Sequence, residues 1–332
     1  MSTIFVTRAV PGDGLERLHE RGHEVEVWPG DLPPEADSLA AALARSDAAL
    51  TMVVDRISRE MLEAAPNLRI VANMAVGYDN VDPAVAGSLG VWVTNTPGVL
   101  AETTADFAFA LLMAAARNVV ASDRDTRAGG WKTWSPTAFL GPDVHGATLG
   151  IVGLGEIGLA MARRASGFGM RVLYASRTRK AEHEAALGCA YVTLDELLAA
   201  ADFVSLHTPL TPETRGLMGA AQFARMKPSA ILINTARGGV VDQEALVAAL
   251  GGGQIAGAAL DVTDPEPLPL THALYRFPNV IITPHIASSS LATRSKMASM
   301  AVANILAVLE GGEPVNPVNR PDRPRGVRSL DT

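Results

Sequence analysis

A single cysteine, Cys189, in 332 residues leaves no partner for an internal disulfide. That excludes the disulfide-stapled secreted folds and favours a reducing compartment, with Cys189 read as a small buried hydrophobe. Positive charge is also short: 28 Lys+Arg against 35 Asp+Glu give a formal net charge of −7. Nonspecific nucleic-acid binding draws on clustered cations that displace counterions from phosphate, so that class is set aside. Long apolar runs are lacking. The longest, Phe107 to Ala116, is closed by Asp106 and Arg117; it falls short of the roughly 18 residues that a membrane span needs and reads as a buried helix. The first residues show no basic stretch followed by an apolar core and a cleavage site. No secretory signal is therefore read, and the expected location is cytoplasmic, away from membranes. The 7 histidines are dispersed and no Cys/His spacing matches a zinc site, so no metal is expected.

What is present is an alternation of short β-rich runs with Ala-, Leu-, Glu- and Arg-rich helical stretches, the pattern of parallel sheets covered by helices on both faces. The class is α/β, and a chain longer than one hydrophobic core usually holds is expected to form two domains. Strands are predicted at Ile4 to Thr7, Glu24 to Trp28, Ala48 to Val54, Arg69 to Asn73 and Val91 to Val93. A second set follows at Thr148 to Val152, Arg171 to Tyr174, Phe203 to His207, Ile231 to Asn234, Ile255 to Leu260 and Val280 to Thr283. Six strands in this second set suffice for a dinucleotide-binding sheet. The turn at Pro97-Gly98 closes the first unit, and a helical pattern from Leu100 to Arg117 leads into the second. After Pro284-His285 a last helical pattern, roughly Ser288 to Leu309, stops at Gly311-Gly312. The tail from Pro314 is expected to be extended or disordered and to cover the first unit. The division thus has two cuts: residues 1–98 with 288–332, and residues 99–287.

Gly153-Leu154-Gly155-Glu156-Ile157-Gly158 is the strongest local signal, because it follows an apolar strand and opens a helical run. In that context the first glycine permits the tight turn, the second lets backbone approach a pyrophosphate, and the third lets helix pack on strand. The helix N-terminus then holds the anion. About 20 residues further on, such units usually carry an acid for the adenosine ribose 2′-OH. Here the chain reads Tyr174-Ala175-Ser176-Arg177-Thr178-Arg179-Lys180. A hydroxyl and cations without a carboxylate suit a 2′-phosphate, so NADP(H) is favoured over NAD(H), which remains open. The competing reading of Arg177, Arg179 and Lys180 is a solvated helix start. Arg237, Glu266 and His285 fall after three successive predicted strands, and ligands in open α/β sheets bind outside the carboxyl ends of strands.

On these residues the chain resembles, over nearly its whole length, the D-isomer-specific 2-hydroxyacid dehydrogenases. The resemblance rests on the glycine fingerprint, Thr235-Ala236-Arg237-Gly238, Asp264-Pro265-Glu266-Pro267-Leu268-Pro269 and Pro284-His285-Ile286. Spacing adds to it: 29 positions from Arg237 to Glu266 (266 − 237) and 19 from Glu266 to His285 (285 − 266). Trp131-Lys132-Thr133-Trp134, Leu140 to Gly146 and the Ser176 to Lys180 run look most like glyoxylate/hydroxypyruvate reductases. The resemblance implies a Rossmann dinucleotide-binding domain (99–287) inserted in a flavodoxin-like substrate domain. It also implies reduction of small 2-oxo acids to D-2-hydroxy acids. Arg237 would hold the substrate carboxylate and ketone, while His285 would donate the proton with Glu266 stabilising its imidazolium.

Carried over residue by residue, Val76 and Gly77 offer backbone N–H groups to the substrate carboxylate. Thr104 faces the nicotinamide, Asp261 accepts from its carboxamide, and Thr208 and Pro209 line the adenosine side. His207, Thr235, Ala236 and Ala287 belong to the same cofactor-lining set. His207 is read as shaping the pocket and His145 as structural. Met52, Val53 and Trp134 are candidates for side-chain selectivity. Trp131 and Trp134 lie in a segment that forms an arm across a homodimer interface in this family; local core packing is the competing reading. Other readings left open are an NAD-dependent D-2-hydroxyacid or phosphoglycerate dehydrogenase and a non-catalytic NAD(H)-binding corepressor type. A formate dehydrogenase would lack Glu266, and a phosphite-oxidising relative would carry Lys where Val76 stands.

Overall fold

The computed structural model describes residues 1–326. It contains twelve strands in two all-parallel sheets and separates into two compact units, Met1–Leu100 with the chain from Ser289, and Ala101–Ser288. The end of the tail, residues 327–332, lies outside the described residues.

In the first unit β1 (Thr3–Val6), β2 (Glu24–Val27), β3 (Ala48–Thr51), β4 (Ile70–Asn73) and β5 (Trp92–Thr94) are ordered β2-β1-β3-β4-β5, the flavodoxin-like arrangement. β3 and β4 are buried at every position, as central parallel strands with both faces covered must be. The run expected to continue to Val54 ends at Thr51 because the chain turns. Asp55 N–H donates to Met52 O at 3.0 Å, and Met52 N–H donates to the Asp55 carboxylate at 2.7 Å. The 19-residue helix Leu291–Leu309 starts at Ser290, whose hydroxyl accepts from Thr293 N–H at 3.1 Å, and it packs on β3 and β4.

The tail is extended and tied to this unit. Pro317 bridges Thr94, Asn319 bonds the backbone of Pro83, Val91 and Val93, and the Arg325 guanidinium takes carbonyls of Leu62, Ala65 and Leu68. The tail thereby covers the open edge at β5, which would otherwise present unpaired backbone groups.

The second unit holds β6 (Thr148–Val152), β7 (Arg171–Ala175), β8 (Cys189–Tyr191), β9 (Phe203–Leu206), β10 (Ile231–Asn234), β11 (Gly257–Leu260) and β12 (Val280–Ile282). Their order, β12-β11-β10-β9-β6-β7-β8, is the doubly wound dinucleotide-binding order with one strand added. The sheet has seven strands, not six. The missed strand, β8, is three residues long with Ala190 and Tyr191 exposed, so it has no apolar run to be seen by. Along β10 alternate side chains serve opposite faces: Leu232 joins one core, Ile231 and Ile233 the other. Each fully buried aliphatic of this kind contributes about 1.5–3 kcal/mol. Cys189 sits in the second of these cores.

Candidate active site

Loops at the carboxyl ends of the second unit's strands carry the polar residues. After β6, Gly153 turns the chain with φ +97°, and a Cβ there would meet the His207 carbonyl at 2.7 Å. A Cβ on Gly158 would fall 2.2 Å from the Gly153 carbonyl, so helix Glu156–Ser166 packs against the turn only with glycine at that position. Gly155, at the start of that helix, faces open space. Leu154 is buried, and Glu156 is exposed on the helix's first turn. Thr104 is buried in helix Ala101–Ala116.

The loop after β7 is held from beneath. Tyr174, fully buried, donates its hydroxyl to Glu184 at 2.7 Å and accepts from Lys180 N–H at 2.8 Å. Arg179 closes on Glu184 through two bonds of 2.8 and 2.7 Å. These contacts hold the Glu184 carboxyl well below the usual carboxylate range. Arg179, expected among the anion-facing cations, is therefore committed to an internal carboxylate. Ser176 Oγ donates to Thr178 O at 2.6 Å, and Arg177 is exposed.

Past β10, buried Asn234 shapes the turn that carries Arg237. Its Oδ1 accepts from Ala236 N–H at 3.0 Å and its Nδ2 donates to Arg237 O at 2.9 Å. The Arg237 guanidinium bonds Ala236 O at 2.8 Å. A Cβ on Gly238 would overlap the Thr263 backbone at 2.0 Å, so this turn lies directly on the loop that carries Glu266. Gln243 anchors that loop by bonding both the N–H and the carbonyl of Asp264.

His285 and Glu266 are side by side: His285 Nδ1 lies 2.9 Å from Glu266 Oε2, and Glu266 Oε1 accepts from Thr263 N–H at 3.1 Å. An ionised carboxylate only accepts, so Nδ1 carries the proton of this bond and Nε2 is the ring's remaining functional atom. His285 adopts φ +54°, a left-handed conformation that costs a non-glycine residue about 1–3 kcal/mol. Asp261, 1% exposed, holds it there. The Asp261 backbone carbonyl accepts from His285 N–H at 2.9 Å. Its carboxylate accepts from the Thr283 hydroxyl at 2.6 Å, Ile286 N–H at 2.9 Å and Ala287 N–H at 2.8 Å. The side chain expected to accept from a carboxamide is thus filled largely by its own turn.

Three shielded atoms along these loops, His207 Nδ1, Thr208 Oγ1 and Thr235 Oγ1, have no partner among the described residues. Burial pushes the His207 ring down from the usual 6.5 to about 4, and Nε2 pairs with Ser205 Oγ at 2.8 Å. Unfolding restores the ordinary value, so the unfolded chain takes up the proton first. Stability from this group is present above about 6.5 and is lost as pH falls through about 4. His207→Gln is expected to flatten the fall in urea midpoint between pH 7 and pH 4.5; an unchanged acid limb would count against it.

Residues 109–287 match the family described as D-isomer specific 2-hydroxyacid dehydrogenase, NAD binding domain. The chain belongs to the D-isomer-specific 2-hydroxyacid dehydrogenases. It is 52% identical over 318 residues to a glyoxylate reductase of Korarchaeum cryptofilum, covering 96% of each chain. It is 47% identical over 321 residues to a glyoxylate reductase of Thermococcus litoralis, again covering 96% of each. Among solved structures it resembles the TT0316 protein of Thermus thermophilus, with TM-score 0.90, 51% identity and 95% and 99% of the two chains covered. It also resembles an NADPH-dependent glyoxylate/hydroxypyruvate reductase of Sinorhizobium meliloti in complex with citrate, with TM-score 0.84, 36% identity and 98% and 100% covered.

This dehydrogenase is accordingly an oxidoreductase with an NAD-binding domain. The residues present fit a nicotinamide dinucleotide: the open approach at Gly155 and the three unpartnered atoms at His207, Thr208 and Thr235 give it space and polar contacts.

The dehydrogenase's other candidates are carried by other segments of the chain. Trp134 is 80% exposed and Trp131 71%, so neither packs in the core of its own unit. Val76 and Gly77 belong to the first unit, after β4, where Asn95 Nδ2 donates to Val76 O at 2.8 Å and Asn73 Nδ2 to Gly77 O at 2.7 Å. Asn234 and Gln243 escaped the sequence reading. A polar residue closing the apolar run Ile231-Leu232-Ile233 was the available signal for Asn234; Gln243 offered none. No helix among the described residues is singly long and apolar enough to cross a membrane, and they hold no cluster of metal-ligating side chains.

Proposed function

We propose that the chain reduces glyoxylate, and with it hydroxypyruvate, to the D-2-hydroxy acid, using NADPH in preference to NADH. The observation that carries the reading is the His285–Glu266 pair at 2.9 Å, with His285 after β12, Glu266 after β11 and Nδ1 engaged. The glyoxylate reductase relatives support the substrate class. Bound NADPH supplies a hydride to the carbonyl carbon. As the carbonyl π electrons move to oxygen, His285 Nε2 delivers the proton, and Glu266 stabilises the ring while it is charged. Arg237 binds the carboxylate and polarises the ketone oxygen; its planar fork suits both. Thr104, Asp261 and Ala287 are assigned to the nicotinamide end of the cofactor, and Val76 and Gly77 N–H groups to the substrate carboxylate. The exposed Trp131, Trp134, Phe139 and Leu140 support assembly as a homodimer.

Steady-state assays with glyoxylate, hydroxypyruvate, pyruvate and 3-phosphohydroxypyruvate, each with NADPH and NADH, test the reading. Turnover of none of them would instead favour the NAD(H)-binding corepressor type. For the cofactor, Arg177 is the cation left exposed after Arg179 has paired with Glu184. The double variant Ser176→Asp/Arg177→Ala is expected to shift the NADPH:NADH ratio of kcat/KM towards NADH by about tenfold to a hundredfold, the worth of one charge-assisted contact. An unmoved ratio would remove Arg177 from phosphate recognition.

A further inference from the structure

The first unit contains a buried carboxylate that the proposed chemistry does not use. Asp55 is 2% exposed and lies in the loop after β3. Its Oδ2 accepts from the Thr7 hydroxyl, just after β1, and from Met52 N–H at 2.7 Å. β1 and β3 are the neighbours at which this sheet reverses its order, and an open α/β sheet offers its ligand crevice at that place. Asp55 therefore bonds both lips of the crevice.

The network continues through Asn80, also buried. Its Nδ2 donates to Met52 O at 3.1 Å, Asp55 O at 3.0 Å and Asn73 Oδ1 at 3.3 Å. Asn73 in turn donates to Gly77 O at 2.7 Å. Thr51 Oγ1 joins at Asn73 Oδ1, 3.3 Å away. Two loops, 52–55 and 73–80, are thereby tied into one body by side chains that have no solvent to fall back on. Asp55 Oδ1 and Asn80 Oδ1 have no partner among the described residues, so burying this group costs solvation that the network itself only partly returns.

We propose that Asp55 is a positioning residue for substrate. It sets the backbone of Met52-Val53 and, through Asn80 and Asn73, that of Val76-Gly77, so that these loops meet the 2-oxo acid in one fixed arrangement. The proposal rests on the reading that Val76 and Gly77 receive the substrate carboxylate. Asp55 touches neither substrate nor cofactor; its effect falls on binding.

The test uses the full-length enzyme and compares Asp55→Asn, Asp55→Ala and Thr7→Val with wild type. Glyoxylate kinetics, inhibition by oxalate, NADPH binding by fluorescence titration and the thermal midpoint are measured for each. In Asp55→Asn, KM for glyoxylate and Ki for oxalate are expected to rise together by about tenfold, with kcat within about threefold and NADPH affinity within about twofold. Asp55→Ala goes further in the same direction. Thr7→Val, which removes one donor and keeps the carboxylate, shows a smaller rise and decides the matter should neither Asp55 variant fold. Unchanged KM and Ki in folded variants overturn the proposal, as does a fall in kcat at constant KM. If wild type neither reduces glyoxylate nor binds oxalate, the functional reading falls and takes the proposal with it. An active wild type whose folded variants keep its KM and Ki overturns the role of Asp55 alone.

Discussion

His285→Ala is expected to lower kcat for glyoxylate by a factor of about 10² to 10⁴, the usual contribution of a positioned proton donor. Two independent constraints fix the imidazole. Glu266 holds Nδ1 at 2.9 Å, which assigns delivery of the proton to Nε2. Asp261 holds the backbone in its left-handed turn with bonds to His285, Ile286 and Ala287 N–H. Alanine removes the donor while leaving Asp261 its contacts, so the loss falls on the chemical step and NADPH binding is retained. Glu266→Gln keeps an acceptor for Nδ1 and removes the charge, and it gives a smaller loss in the same direction. Single-turnover oxidation of bound NADPH separates these outcomes from slow product release. A rate within fivefold of wild type in His285→Ala would exclude His285 as the donor.

Arg237→Met is expected to reduce kcat/KM for glyoxylate by about 10³, or roughly 4 kcal/mol, because in the proposed mechanism the group acts on both the carboxylate and the developing oxyanion. The local frame is rigid. Asn234 pins the turn on both sides, and Gly238 seats it against the Thr263 backbone. Arg237→Lys preserves charge and loses the two-pronged geometry, so it recovers only part of the rate. If Lys restored full kcat/KM, a point charge would suffice and the bidentate description would fall.

Much of the architecture was readable because the central strands are uniformly apolar: Ile231-Leu232-Ile233 and Ile70-Val71-Ala72 can be buried on two faces and nowhere else. The glycine turn was readable because sterics at Gly153 and Gly158 admit no side chain. Glu266 and His285 stand 19 positions apart, and their places after successive predicted strands, together with their motifs, drew attention to them. What escaped was of two kinds. β8 escaped because three residues at a sheet edge carry no periodic signal. Asp55, Asn73 and Asn80 escaped because each looks like an ordinary turn residue until the strand ends converge. The pairing of Arg179 with Glu184 shows the same limit: a run of cations reads as one positive patch, whereas a neighbouring helix has already neutralised one of them.

The tail that crosses β5 and inserts Arg325 among the carbonyls of Leu62, Ala65 and Leu68 also sets an order of assembly. Residues 101–288 form a continuous stretch of chain and are all available once that stretch has left the ribosome. The first unit, whose five strands all precede residues 101–288, is completed only by helix Leu291–Leu309 and by Asn319 and Arg325, which follow them. A chain cut short before that helix would leave the side of β3 and β4 on which it packs uncovered, the kind of apolar surface that makes incompletely folded chains prone to aggregate.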